Sequence, residues 1–156
     1  MIKNSSLLEK GYVLADFPLE SIVYDHLRAR NWRELDQYFL SISKKPGQLR
    51  EFLADYLEFE TLEHIIAIRS APEDEDGIWH DDGSRFCGFS LALNLDPSTI
   101  EGGNLYFKRK EATQTATFAP QPIGKIVIFL SGLYGYEHMV SAVTGGERIV
   151  IAGWCS

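Results

Sequence analysis

"HMVSAVTGGERIVIAGW", residues 138–154, holds two short β-prone runs, "EHMVSAV" (137–143) and "RIVIAGW" (148–154), on either side of "TGGE". Each run is mostly apolar, yet His138 stands at the head of the first and Arg148 opens the second. In a plain hairpin through Gly145 and Gly146 the two would be separated along one sheet by several residues, at roughly 3.3 Å each. Similar runs lie upstream: "HIIAIRSA" (64–71), "FCGFSLALNLD" (86–96), "NLYFKR" (104–109), "TATFAP" (115–120) and "KIVIFL" (125–130). Gly, Pro, Asp or Ser clusters separate most of them. Seven or eight short strands in this half of the chain predict a sandwich or a jelly-roll barrel.

The N-terminal part reads differently. "PLESIVYDHLRAR" (18–30) starts with Pro18, suited to a first helical turn. It ends in basic residues that favour the helix C-terminus. "PGQLREFLADYLEFE" (46–60) spaces Leu49, Phe52, Leu53, Tyr56 and Leu57 by three and four, an amphipathic helix. "NWRELDQYFLSIS" (31–43) reads as a short helix or a turn, and "GYVLADF" (11–17) alternates like a short strand. These helices have too little chain for a core of their own and are expected on the outer face of one sheet. One domain is expected, with residues 1–62 supporting a core of residues 63–156.

Hydrophobic residues make up 45 % and charged residues 24 % of the chain, a globular composition. The formal charge of −7 disfavours a phosphate backbone as partner. The one tight basic cluster, Lys108–Lys110, reads as a solvated turn or strand end. Cys87 and Cys155 lack the spacing of a zinc knuckle or a disulfide framework. With no apolar leader and no membrane-length run, a cytoplasmic protein with reduced thiols is expected.

"GIWHDDG" (77–83) carries the densest chemistry. On a strand, His80 and Asp82 would share a face and Asp81 would point away. An imidazole and a carboxylate on one face can hold a divalent metal, and a third ligand is needed. His26, on an amphipathic helix, and His64, at a strand start, read as packed or surface histidines. His138, on a late strand, is the better third ligand. Two histidines and one carboxylate with open positions form the facial triad of non-haem Fe(II) oxygenases.

Taken together, "WHDDG", "LALNLD", "EGGNLYF" and "HMVSAVTGGERIVIAGW" resemble the 2-oxoglutarate- and Fe(II)-dependent dioxygenases, in their prolyl 4-hydroxylase-like branch, over residues 64–155. The resemblance implies a double-stranded β-helix (jelly-roll) barrel with variable N-terminal helices. It places Fe(II) on His80, Asp82 and His138, and the far carboxylate of 2-oxoglutarate on Arg148. It also implies a chain crossing between His138 and Arg148 to the facing sheet, in place of the hairpin. A planar guanidinium suits a buried carboxylate, which would be costly to leave unpaired. The plain alternative is Arg148 in a surface ion pair with Glu147 or Glu101. Many relatives add a cosubstrate contact on an early strand; here Asn94, Ser90 and Tyr106 are candidates by polarity and strand position only. The implied reaction consumes dioxygen, decarboxylates 2-oxoglutarate to succinate and hydroxylates a C–H bond, with ascorbate as a possible reductant.

Substrate is expected at the barrel mouth, among Trp79, Asp81, Arg85, Tyr134, Tyr136 and Trp154. Trp154 stands where nucleic-acid demethylases of this kind typically carry a second arginine. The remaining substrates are a peptide or protein side chain such as proline, or a free amino acid or other small metabolite. Little sequence separates the strands, which favours an open groove and a peptide. Two other readings use the same barrel: a metal- or 2-oxoglutarate-binding sensor without turnover, and a cupin-type metalloenzyme. The sequence says nothing of oligomeric state.

Overall fold

A computed structural model describes all residues, 1–156. In chain order the elements are α1 (Ser5–Lys10), β1 (Tyr12–Asp16), α2 (Ser21–Arg28), α3 (Trp32–Ser43), α4 (Gln48–Ala54), β2 (Leu62–Ser70), β3 (Cys87–Ala92), β4 (Glu101–Gly102), β5 (Leu105–Arg109), β6 (Ala116–Phe118), β7 (Lys125–Leu130), β8 (Tyr136–Val140), β9 (Val143–Gly145) and β10 (Glu147–Cys155). Short 3₁₀ turns cover Pro97–Thr99 and Gly132–Tyr134. No helix is long and apolar enough to cross a membrane.

All strand pairs are antiparallel. A five-stranded sheet has the order β1-β7-β3-β10-β2, a three-stranded sheet the order β6-β5-β8, and β4 pairs with β9. β7, "KIVIFL", is an inner strand of the large sheet, and its last five residues are all buried. Such a run suits a strand covered on both faces. One cover is helical. Val23 and Leu27 of α2, Leu35 and Phe39 of α3, and Leu49 and Leu53 of α4 are one turn apart and buried. They join Phe89, Leu91, Ile126, Ile128 and Ile151 in a single apolar cluster. Burying each such side chain contributes about 1.5–3 kcal/mol.

His64 lies under α3, hydrogen-bonded to Asp36 at 3.0 Å and against Phe39, so it is a packed histidine as expected. Cys87 and Cys155 face each other across β3 and β10 as buried free thiols.

Several elements differ from the sequence reading. α2 starts at Ser21 and α4 at Gln48, so Pro18 and Pro46 precede the helices rather than occupying their first turns. The ambiguous segment at 31–43 is the 12-residue α3, whose buried Leu35 and Phe39 decide in favour of helix. α1 was not anticipated. At six residues it is too short to show a period, but the Asn4 carboxamide accepts the Leu7 N–H and Gly11, at φ 82°, ends it. "EHMVSAV" breaks into β8 and β9, which join different sheets.

Candidate metal centre

β8 lies in the three-stranded sheet and β10 in the five-stranded one. The chain therefore crosses between sheets through β9 instead of forming a plain hairpin. His138 and Arg148 line one cavity of about 160 Å³, together with His80, Ser90, Arg69, Val150 and Trp154.

His80 reaches His138 without a regular strand. The two residues exchange backbone hydrogen bonds, His80 N–H to the His138 carbonyl at 3.0 Å and the reverse at 2.9 Å. The flanking 77–86 segment is loop. Strand alternation thus does not bring His80 and Asp82 together, contrary to the sequence reading. Asp82 instead adopts left-handed backbone, φ 60°, followed by Gly83 at 65°. That turn swings the Asp82 carboxylate between the two imidazoles: Oδ1 lies 3.5 Å from His80 Nε2, and Oδ2 lies 3.5 Å from His138 Nε2.

One ligand atom from each of the three residues lies within 4.8 Å of the others, the only such group of His, Cys, Asp or Glu in the chain. Ligands at right angles, about 2.1 Å from one ion, stand roughly 3 Å apart. The donor set therefore fits one metal ion with small adjustment. Asp82 Oδ2 is buried without a hydrogen-bond partner, as a carboxylate awaiting a cation would be. His80 Nδ1 contacts the Ile78 carbonyl at 2.8 Å. As donor there, it leaves the Nε2 lone pair for a metal. The His138 ring rests on Phe129, centroids 4.6 Å apart, and its Nδ1 has no partner.

Burial pushes the His138 imidazole down to about 4, against the upward pull of Asp82 and helped by His80. The neutral, metal-competent ring is thus the folded form well below ordinary histidine pH. The unfolded chain takes up this proton near 6.5, so stability is full above that pH and is lost as pH falls toward 4. Urea denaturation of the metal-free protein should show a loss on the order of 2–3 kcal/mol between pH 6.5 and 4. His138→Gln should remove most of that slope.

Arg148 is 6 % exposed, and its side chain forms no hydrogen bond or ion pair within the chain. The surface pairing with Glu147 fails, because Glu147 is held by Arg30 at 2.8 and 3.0 Å. Desolvation lowers the guanidinium to about 10, with Arg69 adding repulsion. Gly103 makes room for Arg148: a Cβ there would stand 2.9 Å from Arg148 Cδ.

The other candidates divide. Ser90 faces the cavity. Asn94 is buried, but its amide already serves the backbone, donating to the Gln121 carbonyl and accepting the Ile149 N–H, both at 2.8 Å. Tyr106 alternates with inward Leu105 and Phe107 and so points outward, away from any cosubstrate; strand position alone could not give its face. Tyr136 is a core residue, not a mouth residue: it is 4 % exposed and stacks on Phe107 at 4.8 Å. Trp154 lines the cavity, and the Arg85 guanidinium lies 4.8 Å over its ring while bonded to Glu63. Trp79 and Tyr134 are exposed beside the metal loop, Trp79 under the Lys108 ammonium at 4.8 Å. The basic cluster is thus less free than expected: Lys108 also pairs with Glu137, Arg109 covers Tyr136, and Lys110 holds Asp81.

Arg69 went unnoticed in the sequence. It sits opposite Arg148 across β2 and β10, but its Nε bonds Asp74 at 3.1 Å and its Nη1 the Val140 carbonyl at 3.0 Å. An arginine in an otherwise apolar run was the available signal. With Arg69 neutralised, Arg148 is left as the cavity's uncompensated cation.

The chain has antiparallel sheets and a two-histidine, one-carboxylate group, and its fold is similar to that of solved prolyl hydroxylases and a 2OG-Fe(II) oxygenase family protein. A Pseudomonas putida prolyl-4-hydroxylase superposes with a TM-score of 0.68 at 22 % identity, covering 96 % of this chain and 94 % of that one. A Burkholderia pseudomallei oxidoreductase of the 2OG-Fe(II) oxygenase family gives 0.68 at 14 % identity, with 97 % and 87 % covered. A Trichoplax adhaerens prolyl hydroxylase, in complex with a hypoxia inducible factor oxygen degradation domain peptide fragment, gives 0.66 at 14 %, with 96 % and 85 % covered. No family model and no curated protein matches the sequence.

Proposed function

We propose that the chain is a single-domain Fe(II)- and 2-oxoglutarate-dependent dioxygenase that hydroxylates a peptide or protein side chain, proline being the first candidate. On this reading the two main sheets form the two walls of a double-stranded β-helix, with the helices outside one wall. The observation that carries the reading is the unpaired, buried Arg148 in the same cavity as His80 and His138, two members of the group that Asp82 completes. His80 Nε2, His138 Nε2 and the Asp82 carboxylate would hold iron. Arg148 would take the outer carboxylate of 2-oxoglutarate in two parallel hydrogen bonds, and Ser90 is near enough to the same cavity to offer a hydroxyl. Bound iron with 2-oxoglutarate and dioxygen supplies the oxidation, releasing succinate and carbon dioxide; ascorbate would serve as reductant. Phe89, Phe129, Leu105 and Val150 wall the cavity and limit access of water.

A peptide is favoured by the surface around the mouth. Ile78 is 78 % exposed and Leu133 57 %, with Trp79, Tyr134 and Ile65 also exposed. Ile78 and Trp79 precede His80 directly, and Leu133 and Tyr134 follow Gly132, whose N–H bonds the Asp81 carbonyl. Exposed apolar side chains flanking the candidate ligands in this way suit an extended chain better than a small polar metabolite.

Succinate release should be measured with Fe(II), ascorbate and a panel of proline-containing peptides and free amino acids. Substrate-stimulated succinate together with a product 16 mass units heavier is expected from a peptide. Stimulation by free amino acids alone would contradict the peptide assignment. Binding of 2-oxoglutarate with no turnover on any substrate would favour a sensor.

A further inference from the structure

Asp81 stands between two of the three candidate metal ligands, yet its side chain points away from them. Its Oδ1 accepts the Gly83 N–H at 3.0 Å. This closes a turn whose middle residue is Asp82, at φ 60°. Left-handed backbone is disfavoured for any residue with a Cβ and persists where a local hydrogen bond supports it. The Asp81 carbonyl also accepts the Gly132 N–H at 2.8 Å, and a Cβ at Gly132 would lie 2.8 Å from Asp81 Cγ. Oδ2 receives the Lys110 ammonium at 2.5 Å. One residue thus fastens the metal loop to the end of β5 and to the turn before β8.

We propose that Asp81 is a positioning residue of the metal centre: its carboxylate closes the turn that holds Asp82 left-handed and so aims the Asp82 carboxylate between His80 and His138. This rests on the metal-binding reading above. Both Asp81 oxygens are engaged, which argues against a substrate contact. The Lys110 pair is exposed on both sides, and such pairs contribute little. The turn, not the ion pair, therefore carries the effect.

Two substitutions separate turn from charge. Asp81→Asn loses the charge but keeps an oxygen at the same place to accept the Gly83 N–H. Asp81→Glu keeps the charge and its reach to Lys110 but carries the oxygen one methylene too far for the turn. Co(II) affinity of the full chain, read from the visible absorption of the bound ion, needs neither substrate nor turnover. Asp81→Glu should weaken cobalt binding by about tenfold or more, the scale of lost support to a ligand. Asp81→Asn and Lys110→Met should stay within about threefold of wild type. Circular dichroism on each variant confirms that it is folded.

Cobalt binding by Asp81→Glu as tight as wild type, or tighter than by Asp81→Asn, would overturn the proposal. Failure of wild type itself to bind cobalt is a different pattern and would bring down the metal reading with it.

Discussion

Arg148→Gln should raise the 2-oxoglutarate concentration for half-maximal succinate formation by about a hundredfold or more, with Fe(II) affinity little changed. Two hydrogen bonds between charged partners are lost, each worth about 1.5–3 kcal/mol. The selectivity of the effect follows from geometry: Arg148 is not part of the ligand group, and no carboxylate of the chain pairs with it. The same residue makes a second, opposite prediction for the empty protein. Burial lowers its guanidinium to about 10, so at neutral pH the fold carries an ionised group that would be better solvated when unfolded. The folded-state value lies below the unfolded one, so the penalty is present at all pH values below about 10 and amounts to a few kcal/mol. Arg148→Met, apolar and similar in length, should therefore melt higher than wild type without cosubstrate. Adding 2-oxoglutarate should stabilise wild type and leave Arg148→Met unmoved. Equal melting temperatures in the two empty proteins would show that water already compensates Arg148.

His138→Ala should abolish metal binding within any practical concentration range. On the proposed reading three protein ligands would hold the ion, and removing one would leave His80 and Asp82 on a loop with nothing opposite. The loss should exceed the roughly 10–100-fold seen when only the support of a ligand is removed. Because His138 is buried against Phe129, its removal also opens a cavity, so stability must be followed separately. His26→Ala, at a half-buried position of α2 outside the ligand group, is the control and should leave metal binding unchanged.

The grouping of His80, Asp82 and His138 was legible in the sequence because two imidazoles and a carboxylate, in segments far apart, had the residue types a facial triad needs. The local reason was not. A strand with alternating faces seemed to bring His80 and Asp82 together, whereas the chain there is a loop and the work is done by consecutive left-handed residues. Gly83 was a visible hint of such a turn. Asp82 was not, since a positive φ at a non-glycine residue is set by its surroundings. Arg148 could be picked out as a charge at the start of a buried strand, but its isolation depends on Glu147 turning to Arg30, in the turn between α2 and α3 more than a hundred positions away. Tyr106 and Tyr136 misled for a related reason. Polarity and strand membership fix neither the face nor the depth of a tyrosine; register does, and register comes from pairing with β8 and packing on Phe107. The same limit hid α1, where two caps on six residues leave no periodic signature.

The central claim, one ferrous ion shared by His80, Asp82 and His138 beside a cosubstrate held by Arg148, is tested most directly by anaerobic titration with Fe(II) and 2-oxoglutarate. A weak visible charge-transfer band should grow to saturation at one iron and one 2-oxoglutarate per chain, and should be absent in His138→Ala. No band in wild type at saturating concentrations of both, or an undiminished band in His138→Ala, would contradict it.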